Sequence, residues 1–316
     1  HVHRILGTRS PSEIPIVSDR LSFLPFSLPF SLPFSLPSSI FAGNRDEYLH
    51  RPTSRAHFWP APHEFILAGT DLQYQKSGTW LGITTSGKFS TLTNFREQLA
   101  PDLESRGYLV RDFLESDAEV GPREYLEGLE KRKDRFGGFS LLCVDLARDH
   151  RNEEGRMWYY SNRQNTTVTS LNAGTVHGLS NSVLEAPWPK VQSGCEMMRS
   201  IIAETSDEEQ LIEKLFTMLG SYAPFTDTTS IQTVTKEIES AIRVTCVGLI
   251  LNKPYATRTS TVVLVDHEGT VTFLERNWFD STLKELDEEE RRTGEVGWRF
   301  KIGEEPRSAE RIVRQK

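Results

Sequence analysis

Residues Asn44-Arg45-Asp46-Glu47 set an amide, a guanidinium and two carboxylates side by side. They lie between the apolar approach Ile40-Phe41-Ala42 and the exit Tyr48-Leu49-His50-Arg51-Pro52. A strand ending there would deliver polar side chains into a cleft; a solvated turn is the competing reading, because charged side chains mostly lie at the surface. Other reactive types are sparse. Cys143, Cys195 and Cys246 are odd in number and lack CxxC spacing, which argues against a disulfide framework or a zinc ribbon and fits a reducing compartment. Cys143 and Cys246 stand in apolar runs and read as buried strand thiols, and Cys195 sits on a helix beside Met197 and Met198, a packing position. His50, His57, His63 and His177 lack HxxxH or HxH spacing, so no metal site and no cofactor is expected. His57, Phe58 and Trp59 read as an aromatic loop over the core.

Four further segments accompany the first: Gly78-Thr79-Trp80-Leu81-Gly82-Ile83, Leu92-Thr93-Asn94-Phe95, Gly178-Leu179-Ser180-Asn181 with Pro187-Trp188, and Thr257-Arg258-Thr259-Ser260-Thr261. Together, in this order, they resemble the NRDE family, that of the transport and Golgi organisation protein 2. The resemblance runs from about residue 41 to about residue 302. It implies an α+β fold, the four-layer αββα sandwich of N-terminal-nucleophile hydrolases, as a single domain. In that class the first residue of the mature chain is the nucleophile and its α-amino group the base. Relatives look as if they begin Met-Cys, whereas His1 opens this chain and no Cys precedes residue 143, so the expected nucleophile is absent. An internal start at Ser38 or Ser39 would be the alternative.

Under the resemblance, Arg45 and Asp46 orient a substrate and hold a nucleophile's ammonium. Asn94 and Asn181 are oxyanion-hole donors, Arg258 stabilises negative charge, and Asn44 and Glu47 are structural supports. Each has a plainer counterpart, since Asn at a strand end commonly forms a turn and Arg beside a strand is commonly a surface group. The set looks like the bile-salt hydrolase and penicillin acylase branch. The family role implied is Golgi organisation and protein secretion, with intracellular haem or small-ligand trafficking in some members; the alternative is an amidohydrolase acting on a small amide. The expected partner is therefore a small-molecule ligand or substrate, haem among them, although no CxxCH or axial pair is visible.

Net charge is −7, from 37 basic and 44 acidic residues interspersed along 316. No basic stripe suggests nucleic acid and no polybasic cluster an anionic membrane. A cytoplasmic location is expected, with Golgi or mitochondrial association as the family's alternatives. Residues 1–40 read as a low-complexity arm, 41–305 as the NRDE domain and 306–316 as a polar, frayed tail. Between residues 21 and 39 only Leu, Ser, Phe and Pro occur, with Pro at 25, 29, 33 and 37. Proline at that spacing excludes a membrane helix. All four amino acids have pyrimidine-only codons, so the expectation is that residues 1 to about 43 include translated intron.

The elements that must hold the site follow from periodicity. Strands are expected at residues 66–71, 79–84, 89–94, 138–145, 157–162, 175–179 and 298–302, and a hairpin at 257–266 and 270–275. Helices are expected at 107–115, 122–135 and 190–204, with another opening on a Ser206/Glu209 capping box and closing at Gly220, and a last one at 280–292. Residues 221–240 read as a polar surface loop or a short helix.

Overall fold

A strand covered by helices on one face and by a second sheet on the other is buried along its length, as at Ile66–Asp71, Leu81–Thr84 and Phe139–Asp145. The computed structural model describes residues 18–19, 36–74, 76–95, 97, 102–147, 155–172, 174–222, 231–246 and 253–313. In chain order the strands are β1 (Ser18–Asp19), β2 (Ser39–Tyr48), β3 (Thr53–Phe58), β4 (Ile66–Asp71), β5 (Leu81–Thr84), β6 (Lys88–Asn94), β7 (Phe139–Asp145), β8 (Met157–Ser161), β9 (Thr169–Ser170), β10 (Tyr255–Val265), β11 (Thr270–Asn277), β12 (Val296–Lys301) and β13 (Glu310–Ile312). The helices are α1 (Gly107–Glu115), α2 (Pro122–Glu130), α3 (Pro189–Glu204), α4 (Glu208–Leu219), α5 (Ile231–Ser240) and α6 (Glu288–Thr293).

Two sheets result, with every strand pair antiparallel. One runs β1-β2-β10-β11-β12-β13 and the other β3-β4-β5-β6-β7-β8-β9. The core between them joins Val263, Val265, Val271 and Phe273 of the first sheet to Leu67, Ile83, Phe89, Leu142 and Tyr159 of the second. Their alternate neighbours face outward. Ile40, Ala42, Val262 and Leu264 meet α3 and α4, while Ile66, Ala68, Leu141 and Cys143 meet α1 and α2. Layer by layer this is helix, sheet, sheet, helix, the αββα sandwich expected from the resemblance.

Local differences from the sequence expectations have identifiable causes. The helix expected at 122–135 ends at Glu130, followed by a 3-10 turn at Lys133–Arg135. Helix α4 is capped by Asp207, whose carboxylate accepts the Gln210 N–H at 2.7 Å, one residue later than the Ser206 box; a carboxylate also suits the helix dipole. No strand forms at 175–179: Val176 drops into the helix-side core and the His177 ring sits 2.8 Å from the Asn172 carbonyl. Within 221–240, α5 forms because Val234 and Ile238 share a buried face with Val244; residues 223–230 lie outside the described residues. The helix expected at 280–292 shrinks to α6, because Asp280 Oδ1 accepts the Thr282 and Lys284 N–H groups and holds a turn, and the true capping box is Asp287/Glu290.

The expected tail contributes a 3-10 turn at Pro306–Ser308 and β13, which adds to β12. At the other end β2 begins at Ser39, and Ile40 is 1% exposed. The rest of the expected arm, residues 1–17 and 20–35, lies outside the described residues. Cys246, expected in a buried strand, is exposed in an irregular segment before β10, where Val244 takes the buried place.

A candidate ligand-binding cleft

Strand β2 fixes the site through its two faces. Residues 44 and 46 continue the face of Ile40 and Ala42 toward the helices. Asn44 Nδ2 donates to the Leu219 and Ile242 carbonyls at 2.9 and 3.0 Å, and its Oδ1 accepts the Ser260 hydroxyl at 2.6 Å. Asp46 accepts from the Thr257 hydroxyl at 2.6 Å and pairs with Lys190 of α3 at 3.3 Å. Residues 41, 43, 45 and 47 face the second sheet. Arg45 lies over the Trp80 ring, 4.0 Å from its centroid, and Glu47 reaches Arg45 at 3.5 Å and Arg51 at 3.6 Å. The four residues were expected at a strand end; they lie inside the strand, which continues to Tyr48. A charged run survives there because each side chain meets a specific partner.

Beside β2 opens a cleft of about 520 Å³. Its lining is mixed: Trp80, Leu92, Leu142, Leu179, Val191 and Met218 are apolar, Arg45, Arg51, Arg106 and Lys190 bring four cations, and Asp46, Glu47, Asp71 and Glu104 bring four acids. One wall depends on a close backbone crossing. Thr79 N donates to Gly107 O at 3.1 Å, and a Cβ on Gly78 would stand 2.9 Å from the Gly107 carbonyl carbon. That approach seats Trp80 and the start of α1 together.

Burial sets the electrostatics. It lowers the Arg45 guanidinium to about 10, with Glu47 acting in the opposite direction, so Arg45 remains a cation at neutral pH. Burial also acts to lower Arg51, but the hydrogen bond to Asp71 and the charges of Glu47 and Asp71 outweigh it and the net shift is upward; Arg51 meets Asp71 at 2.7 Å. Arg106 is lowered by burial. It donates to the Gly138 carbonyl at 2.9 Å and forms no ion pair among the described residues.

Of the five residues expected at the site, Arg45, Asp46, Asn94 and Asn181 line this cleft. Asn94 and Asn181 are joined, Asn181 Nδ2 donating to the Asn94 carbonyl at 2.6 Å. Arg258 is elsewhere. It falls at a bulge, where pairing steps from Thr257↔Asp46 to Thr259↔Arg45, and the extra residue is re-aimed so that it donates to the Arg51 carbonyl and lines a separate cavity. Asn44 and Glu47, expected as structural supports, both line the cleft, Asn44 fastened to two carbonyls and Glu47 beside Arg45 and Arg51. Trp80, Arg51, Asp71, Arg106 and Lys190 were not singled out. Trp80 sat inside a matched segment and offered a signal; Arg106 and Lys190 offered none, being ordinary basic residues at helix starts.

No cysteine lines the cleft among the described residues. Cys143 is buried within β7, where burial pushes its thiol well above the ordinary range, and Cys195 packs between α3 and the sheet. Ser38 and Ser39 are not on the cleft wall either. Among the described residues there is no group of three His, Cys, Asp or Glu side chains placed to hold a metal ion.

Fold and site thus define an αββα sandwich with an amphipathic cleft beside one strand of a central sheet. The chain belongs to the Transport and Golgi organisation 2 family, whose model matches residues 38–280. It is similar to the Transport and Golgi organization protein 2 homolog of Bos taurus, 36% identical over 248 residues covering 77% of this chain and 87% of that one. The Homo sapiens homolog is 35% identical over 255 residues, covering 77% and 88%. Among solved structures, a Caenorhabditis elegans N-acylethanolamine-hydrolyzing acid amidase ortholog aligns with a TM-score of 0.39 and 15% identity, over 72% of this chain and 90% of that chain.

Proposed function

We propose that this chain serves Golgi organisation and protein secretion as a carrier of a small amphipathic molecule held in the cleft beside β2. The observation that carries this reading is the pairing of apolar side chains with a cation, Arg106, that meets no carboxylate among the described residues. An apolar body would bury against Trp80, Leu142 and Val191, and an anionic group would take the guanidinium N–H donors that Arg106 does not spend on Gly138. Haem has that character, with an apolar macrocycle and two propionates. No His or Cys lines the cleft among the described residues, so binding would rest mainly on the macrocycle and the propionates.

Titration of the purified chain with haemin, followed by its absorbance band, tests the reading. Arg106→Gln should weaken binding about tenfold, the loss of roughly 1.4 kcal/mol expected for one charge-assisted contact. Unchanged affinity in that variant would defeat it. Co-fractionation of the tagged chain with Golgi membranes tests the cellular part.

A second reading, hydrolysis of a small amide, is favoured by Asn94 and Asn181 lining the same cleft as Arg45 and Asp46. Neither Cys143 nor Cys195 supplies its nucleophile. Release of amine from a panel of acyl amides would favour hydrolysis; haemin binding without release favours the carrier.

A further inference from the structure

Apart from the cleft, the described residues enclose a second cavity of about 380 Å³ between the start of β3, the bulge of β10 and the segment leading into α6. Arg55, Arg258 and Arg291 line it, together with Asn277, the apolar Leu49 and Phe279, and the acids Asp280 and Glu290. We propose that this cavity binds a small phosphorylated ligand, its phosphoryl oxygens gripped by Arg55, Arg258 and Arg291.

Among the described residues Arg258 and Arg291 form no ion pair, whereas Arg55 Nε pairs with the Glu275 carboxylate. Asp280 accepts from the Thr282 and Lys284 backbones and the Thr282 hydroxyl, and Glu290 accepts the Asp287 N–H and the Lys284 ammonium. Arg258 gives one N–H to the Arg51 carbonyl. Arg291 gives one to the Leu286 carbonyl and lies 4.3 Å from the Trp278 ring centroid. Arg55 stands 3.5 Å from the buried Glu275 carboxylate, and its own Nε has no hydrogen-bond partner.

Arg276 shows what a purely structural arginine looks like in this fold: its guanidinium is saturated by Glu213 at 2.6 Å and Glu295 at 2.8 Å. Arg258 and Arg291 are not treated this way. Burial lowers Arg258, and burial together with the charge of Arg243 lowers Arg291, so an anion arriving there would relieve both. Three forks offer more donors than the two oxygens of a carboxylate can accept, whereas a phosphoryl group brings three or more oxygens and up to two charges.

Thermal melts and calorimetric titration with sodium pyrophosphate, at ionic strength matched with sodium chloride, test the site. The expected result is a saturable rise in melting temperature. Affinity should fall at least tenfold in Arg55→Gln and in Arg291→Gln and persist in Arg106→Gln, which alters the other cleft. Should Arg291→Gln fail to fold, Arg258→Lys keeps the charge but loses the fork and should also weaken binding about tenfold. Absence of a saturable rise, full affinity in the Arg55 and Arg258 variants, loss confined to Arg106→Gln, or tighter binding of malonate than of pyrophosphate would each overturn the proposal.

Discussion

Replacing Asn44 by Ala removes two donors and one acceptor at once. The Leu219 carbonyl it meets at 2.9 Å is one of the last in α4, a position that leaves the helix without an internal partner. The Ile242 carbonyl, at 3.0 Å, belongs to the segment that returns from α5 to β10. On the acceptor side, the Ser260 hydroxyl donates to Asn44 at 2.6 Å and receives the Trp278 indole N–H at 2.8 Å. Three hydrogen bonds at about 1 kcal/mol each give a loss of about 3 kcal/mol. For a chain of 316 residues that corresponds to a melting temperature lower by about 5 °C. Urea unfolding followed by tryptophan fluorescence measures it. The sharper comparison is Asn44→Asp, nearly the same shape, which turns a double donor into an acceptor facing two carbonyls and should destabilise at least as much as Ala. A change below about 0.5 kcal/mol in Ala, or an Asp variant as stable as wild type, would refute the fastening role.

Gly78→Ala drives a methyl into the Gly107 backbone and should lower stability by about 1–3 kcal/mol, read from the urea midpoint, and loosen haemin binding with it. Arg45→Lys keeps the charge but loses the planar stack on Trp80; a loss of about 1 kcal/mol is expected in the same measurement. Burial raises the Glu275 carboxyl above its ordinary range, against the pull of Arg55. Its contribution is therefore fully present below the unfolded value and is lost as pH rises through the folded one. Glu275→Gln does not titrate, so the melting temperature of wild type minus variant should fall as pH rises through and above the ordinary carboxylate range; a difference that rises with pH would contradict the burial effect.

Much of the sandwich was legible because its strands obey a period of two. The run at 139–145 reads as covered on both faces, and the hairpin around residues 267–269 shows its turn. Legibility failed where a short polar contact decided the outcome. Whether Ser206 or Asp207 caps α4, or whether 280–286 coils into helix or turn, depends on one carboxylate finding a nearby N–H, which periodicity does not register. Four of the five candidate residues line one cleft, and all four fall in segments carrying the family resemblance. Arg258 falls in one as well, yet a single extra residue at the bulge turned it away. Arg106 and Lys190 were invisible, since nothing in an isolated basic residue tells which cavity its helix will face.

The two faces of β2 carry different duties. Ile40, Ala42, Asn44 and Asp46 anchor the strand to the helix layer, while Arg45 and Glu47 face the ligand side. One inserted residue before Asn44 would exchange the two sets, pointing Arg45 at Lys190 and Asn44 at Trp80. Length in this stretch is thus under tighter constraint than composition: a conservative substitution disturbs one partner, whereas a single-codon insertion or deletion misplaces every member of the motif together.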